Sequence, residues 1–218
     1  MKFLIALFPC LILLTACSSL QYPAPHQPLK PDEKIKTHTT LFMYFDTIPD
    51  DLKTAYITVQ NNSDTDAFAL YPYLVAALKE QGFTIVYHSS QANFVLRANQ
   101  LRVGTFPNYQ TNELMQTDFG NSAQALQLPP NTPTTPLNYA IIVDMQAFQR
   151  IHLIDPSTAP KADIDTNVEL MLLNNLATWE HSQTRIIAIG LHITQNQAII
   201  LNELGHEIST ATAHVIRH

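Results

Sequence analysis

The chain has 218 residues, a formal net charge of −6 and 46% hydrophobic residues, enough for one domain with a proper core. Its only loose grouping of basic residues is Lys30, Lys34 and Lys36, so with this acidic balance neither nucleic acid nor an anionic lipid surface is an expected partner. The five glycines are too scattered for a phosphate-cradling loop, and neither a Gly-x-Ser-x-Gly elbow nor a His-Glu-x-x-His zinc motif is present.

The N-terminus opens on Met1-Lys2 and an almost wholly apolar run from Phe3 to Leu14. A twelve-residue helix of that kind is about 18 Å long against roughly 30 Å of bilayer hydrocarbon, so residues 1–16 read as a signal peptide and not as a spanning anchor. Leu14-Thr15-Ala16-Cys17 resembles the bacterial lipobox, in which the chain is cut before the Cys and its thiol is lipidated. Cys17 is therefore the one functional residue expected, a lipidation site that ties the protein to a membrane. Cys10 leaves with the leader, so the mature chain has no thiol for redox chemistry. Two or more acyl chains hold a protein stably at a membrane where one is marginal. Ser18 follows the Cys in place of the Asp associated with inner-membrane retention, which points to the outer membrane.

Residues 17–40 are polar and carry Pro23, Pro25, Pro28 and Pro31, so they are expected to form an extended, irregular tether. A single α+β domain is expected over 41–218, with a mostly antiparallel sheet and two main helices. Leu41 to Phe45 reads as a first strand and 54–60 as a second, with Ala55, Ile57 and Val59 on its apolar face. The turn formers from Asn61 to Asp66 precede a helix beginning near Leu70, where Leu70, Leu74, Ala77 and Leu78 share a face and Pro72 sits in the first turn. Gly82 fits its C-terminal cap. Strands follow at 83–88 and 93–103, the second placing Phe94, Leu96, Ala98 and Gln100 on one side.

The interval 104–138, which ends in the Pro-rich 127–137, is expected to be irregular and largely exposed. A long strand is expected at 138–151 and another at 184–194. Residues 168–179 suit either a strand turning back at Glu180 to Gln183 or a short helix. A final helix runs from about Asn196 to Arg217, with a stripe of Leu201, Leu204, Ile208, Ala211 and Val215.

Two places could carry chemistry. Glu203, His206, Glu207 and His214 fall within a sector of about 100° on the last helix. That sector lies opposite the apolar stripe, where a solvated polar face is expected, and no metal is assigned to it. Asp144 lies inside the apolar strand 141–145; it is expected to face water, and if buried it needs a partner or a raised pKa. Phe68, Tyr71, Tyr73 and Trp179 are expected in the core or at an interface. No cofactor and no small-molecule substrate are expected.

The span 55–103 resembles the TraT family of outer-membrane lipoproteins. Asn61-Asn62-Ser63-Asp64, Lys79-Glu80-Gln81-Gly82-Phe83, Val86, Ala92 and Ala98-Asn99-Gln100-Leu101 stand in the family's order and spacing. The likeness resumes at Tyr139 to Arg150, with Asp144-Met145-Gln146, and at Gln183-Thr184-Arg185. It implies a noncatalytic envelope protein of the surface-exclusion or complement-resistance type, acting by self-association or contacts with envelope proteins. A periplasm-facing accessory of a conjugation or type IV secretion machine is the alternative, and an envelope enzyme or small-ligand carrier stands lower. The departure is central: the family's long Gly- and Ala-rich apolar segment is replaced here by 104–138, with only Gly104 and Gly120 as glycines.

Overall fold

In the computed structural model, residues 23–30, 33–63, 65–66, 68–107, 119, 137–150, 179–191 and 196–217 are described. The signal peptide, Cys17, the ambiguous stretch 168–178 and the Pro-rich 127–136 lie outside them.

Alternating apolar residues generate a six-stranded sheet in the order β1-β7-β6-β5-β3-β4. Its strands are β1 (Lys34–Thr39), β3 (Thr54–Asn61), β4 (Thr84–Ile85), β5 (Phe94–Pro107), β6 (Leu137–Arg150) and β7 (Trp179–Leu191). β2 (Met43–Tyr44) pairs separately and in parallel with β8 (Ile216–Arg217). The β1/β7, β6/β7 and β5/β6 pairs are antiparallel, whereas β3 is parallel to both β4 and β5. Helix α1 (Tyr71–Glu80) makes the crossover that a parallel pair requires. This α+β arrangement agrees with the expected class.

Helices α1 and α2 (Gln197–Val215) cover one face of the sheet. Odd residues of β3 and β6 point to that face, among them Ala55, Ile57, Ile141, Val143 and Met145, together with Ile186 and Ala188 of β7. On β5 the inward set changes parity. Phe94, Leu96, Ala98 and Gln100 face the helices, then Val103 does, because the register shifts by one residue between Gln100 and Arg102. A bulge of this kind lets one strand keep a single core face along its whole length.

The helix boundaries follow their residues. Pro72 occupies the first turn of α1, and Gly82, at φ +87°, lets the chain leave that helix in the left-handed region. Asn196 caps α2 by accepting a hydrogen bond from the Ala198 N–H at 2.9 Å. The two helices approach so closely at Gly205 that a Cβ there would stand 2.5 Å from the Tyr73 ring. Of the expected aromatic core, Phe68, Tyr73 and Trp179 are buried and Tyr71 is partly so.

Four expectations need correction. Residues 34–39 are not tether: Ile35 packs on the core and the segment hydrogen-bonds to β7 as an edge strand. Glu180 to Gln183 make no turn, since they pair with β6 in the middle of an unbroken β7. The 104–138 interval is regular at both ends, where Gly104 to Pro107 pair with Ala140 to Leu137 and Phe106 is buried. Asp144 does not face water. It is 8% exposed, and Arg185, 0% exposed and directly opposite on β7, donates to both its oxygens, Nε at 2.5 Å and Nη2 at 2.9 Å. The even-numbered face of β6 is buried too, so a carboxylate there needs this cation.

Removing one partner of a buried ion pair leaves the other uncompensated. Arg185→Met should therefore destabilise the fold by about 3–5 kcal/mol, and adding Asp144→Leu should recover much of that. Urea unfolding checks this; equal losses in the single and double variants would contradict it. Gly205→Ala should cost about 1–3 kcal/mol through overpacking against Tyr73, outweighing the roughly 1 kcal/mol gain in helix propensity. A higher urea midpoint for Gly205→Ala would refute that close approach.

Candidate functional site: the docked N-terminal segment and an exposed aromatic face

Helix α2 is amphipathic in sequence but is buried nearly all round from Ile200 to Gly205. Its apolar stripe packs on the sheet, and its polar side is covered by the segment 23–30. Glu203, expected in a solvated sector, is only 7% exposed. Its Oε1 accepts from the Gln27 N–H at 2.7 Å and from Asn202 Nδ2 at 3.1 Å, while its Oε2 lies 3.0 Å from His26 Nδ1. Asn202 also donates to the Pro25 carbonyl, at 3.1 Å. His206 Nε2 lies 2.7 Å from the Ala24 carbonyl oxygen, and the His206 ring stacks on His26 with centroids 3.6 Å apart. Backbone groups of residues 24–27, prevented by the prolines from pairing regularly, thus find their partners on the helix.

Tyr73 of α1 completes this network by donating its hydroxyl to Asn202 Oδ1 at 2.8 Å. Burial, aided by the negative charge of Glu203, pushes the Tyr73 phenol up to about 12. One helix turn further along, Glu207 accepts from the Thr37 hydroxyl of β1 at 3.4 Å, and His214 is exposed. The four residues singled out on α2 therefore separate, with Glu203 and His206 holding the N-terminal segment, and Glu207 and His214 lining a pocket of about 220 Å³ with Thr37, Thr39 and Phe42.

That pocket adjoins a second feature. Across 42–45 the side chains alternate: Met43 and Phe45 are buried, whereas Phe42 and Tyr44 are exposed by 44% and 67%, with Leu41 at 61% beside them. A strand with one wet face normally presents polar residues there. Here it presents two aromatic rings with centroids 6.4 Å apart. The backbone beneath is held firmly, because Thr184 Oγ1 donates to the Leu41 carbonyl at 2.8 Å. Among the described residues, no helix is long and apolar enough to cross a membrane.

The sequence motifs meet one another in the fold. Gln100 Nε2 donates to Asn61 Oδ1 and to Ser63 Oγ, both at 3.0 Å, joining the Asn-x-Ser turn to the β5 motif. Gln81, in the turn after α1, donates through Nε2 to the carbonyls of Ala213 and Ile216 and so ties α1 to the end of α2. Asp144 and Arg185 join the β6 and β7 motifs. Residues 32–135 match the family model described as the enterobacterial TraT complement resistance protein. Over that span the chain is TraT-like. A TraT complement resistance protein of Wigglesworthia glossinidia brevipalpis is 29% identical over 105 residues, 47% of this chain. The chain spans 44% of that relative's length. Among solved structures, a PelC dodecamer of Paraburkholderia phytofirmans is 10% identical, with a TM-score of 0.35 over 85% of this chain and all of the other, a likeness too distant to bear on assembly.

Because the Tyr73 pKa is raised from 10.0 to about 12, the native state holds a proton that the unfolded state releases first. Its effect on stability is constant below pH 10, and stability should fall as pH rises from about 10 towards 12. Tyr73→Phe should flatten this decline. A pH series of urea midpoints checks it, and identical slopes in the two proteins would contradict it.

Proposed function

We propose that this chain is a noncatalytic lipoprotein of the bacterial outer membrane, anchored through Cys17, which works by protein contacts made through the Leu41, Phe42 and Tyr44 face. The TraT-like span supports an envelope role of the complement-resistance or surface-exclusion type. The observation that carries the contact reading is the outward-facing aromatic pair on a backbone fixed by Thr184. Single exposed apolar residues are ordinary, but a contiguous cluster on a backbone held in place marks an interaction surface.

Docking of residues 24–27 on α2 supports a domain held near its anchor. Ala24 is seven residues beyond Cys17, a span of at most about 25 Å. An anchor this short restricts how the domain can turn and so keeps the aromatic face in one orientation to the membrane. A second copy of the chain, tethered in the same way, meets that face at high effective concentration.

The periplasm-facing accessory remains the second reading, favoured by 104–138, which lacks the family's apolar Gly-rich character. Surface proteolysis of intact cells separates the two, since complete protection of the folded domain excludes a surface role.

Cys17→Ala should release the protein from membranes into the soluble fraction, and continued tight binding would overturn the anchor. In detergent, the protein should run as a multiple of its mature chain, which is the 24.5 kDa full chain less residues 1–16. Phe42→Ser combined with Tyr44→Ser should shift it towards the monomer. Light scattering with size exclusion checks both, and a monomeric parent protein would refute self-association.

A further inference from the structure

The geometry points to a binding site for a divalent transition-metal ion of the zinc type, built by His26, Glu203 and His206 between the N-terminal segment and α2. One ligand atom from each of the three lies within 4.8 Å of the others. Two imidazoles and one carboxylate are a donor set that suits zinc and its neighbours better than calcium or magnesium, which prefer oxygen alone. His26 Nδ1 and Glu203 Oε2 stand 3.0 Å apart. Two ligands on one tetrahedral zinc, with bonds of about 2.0–2.1 Å, sit roughly 3.3–3.4 Å apart. That pair already approximates an edge of the coordination tetrahedron, and a ring nitrogen of His206 lies within 4.8 Å of both.

The surroundings suit the role. Glu203 has its Oε1 occupied by Gln27 N–H and Asn202 Nδ2, and its Oε2 faces His26. Asn202 is in turn fixed by the Tyr73 hydroxyl. Outer hydrogen bonds of this kind orient a ligating carboxylate. Glu203 is a carboxylate withdrawn from water, and a bound cation supplies the opposite charge that such a group requires. Access is open on one side, because the His26 side chain is 67% exposed. Water takes the fourth position.

An ion held there joins residue 26 to residues 203 and 206 and fastens the segment leading from Cys17 to the folded domain. The site is independent of the Phe42 face, so its failure leaves the contact reading intact.

Isothermal titration of zinc chloride into the detergent-solubilised full-length mature protein, in a non-chelating buffer, tests the proposal. The expected result is one zinc per chain, with affinity falling at least tenfold in His26→Ala and in His206→Ala. His88→Ala, at an exposed position remote in sequence from the cluster, should bind as the parent does. Circular dichroism confirms that each variant is folded; His26 is exposed enough for its loss to leave the fold intact. Absence of a one-to-one zinc site in the parent overturns the proposal. So does unchanged affinity in folded His26→Ala, or an equal loss in His88→Ala, which would mark adventitious binding to surface histidines.

Discussion

The buried pair of Asp144 and Arg185 is the constraint around which the sheet is arranged. It sits where β6 and β7, two of the three long strands of the sheet, lie side by side. A slip of one residue in either strand would turn every side chain to the opposite face and part the carboxylate from its guanidinium. The same residue organises the edge. The Arg185 N–H donates to Thr40 Oγ1 at 2.9 Å, and its carbonyl accepts from the Thr40 N–H at 3.0 Å. Next to it, Thr184 secures Leu41. Register in the centre thus fixes where β1 ends and how the aromatic face beyond it is presented.

A second level of order comes from the way separate motifs lock together. Gln100 reaches the Asn61 turn, Gln81 reaches the end of α2, and Arg185 reaches Asp144, each joining stretches distant in sequence. Asn61, Gln81 and Gln100 lie within the TraT-like span 32–135, and there they are pieces of scaffold. They hold the scaffold together, which does not imply that any of them meets a partner. The surface proposed for partners lies elsewhere, on Leu41, Phe42 and Tyr44, whose side chains are exposed.

Much of this was legible in the sequence. Period-two alternation located β3, β5 and β6, Pro72 and the apolar stripes located the helices, and the stripe on α2 gave its buried face. What failed depended on long-range partners. Asp144 looks like a solvent-facing residue until Arg185 is placed opposite, and Glu180 to Gln183 look like a turn until β6 is seen to run alongside them. The polar side of α2 misled for a related reason. Its residues are polar because the segment 24–27 offers backbone donors and acceptors, and nothing local to the helix reveals that cover. The prolines of that segment suggested a free tether, yet they are also what leaves its carbonyls available to Asn202 and His206. The outward aromatics at 42 and 44 were hidden by a continuous apolar run, in which alternation cannot be read.

The central claim is that the protein acts through the face carrying Phe42 and Tyr44, held in a fixed orientation near its anchor. Photocrosslinking in intact cells tests it most directly, with the reactive amino acid placed at position 44 in one strain and at 87 in another. Tyr87 is a fair control because it is equally exposed, at 70%, but lies beyond β4, at the other end of the sheet. The account predicts a discrete higher-mass adduct from position 44, at a multiple of the chain's own mass, and none from position 87. No adduct at 44, or the same adducts from both positions, would contradict it.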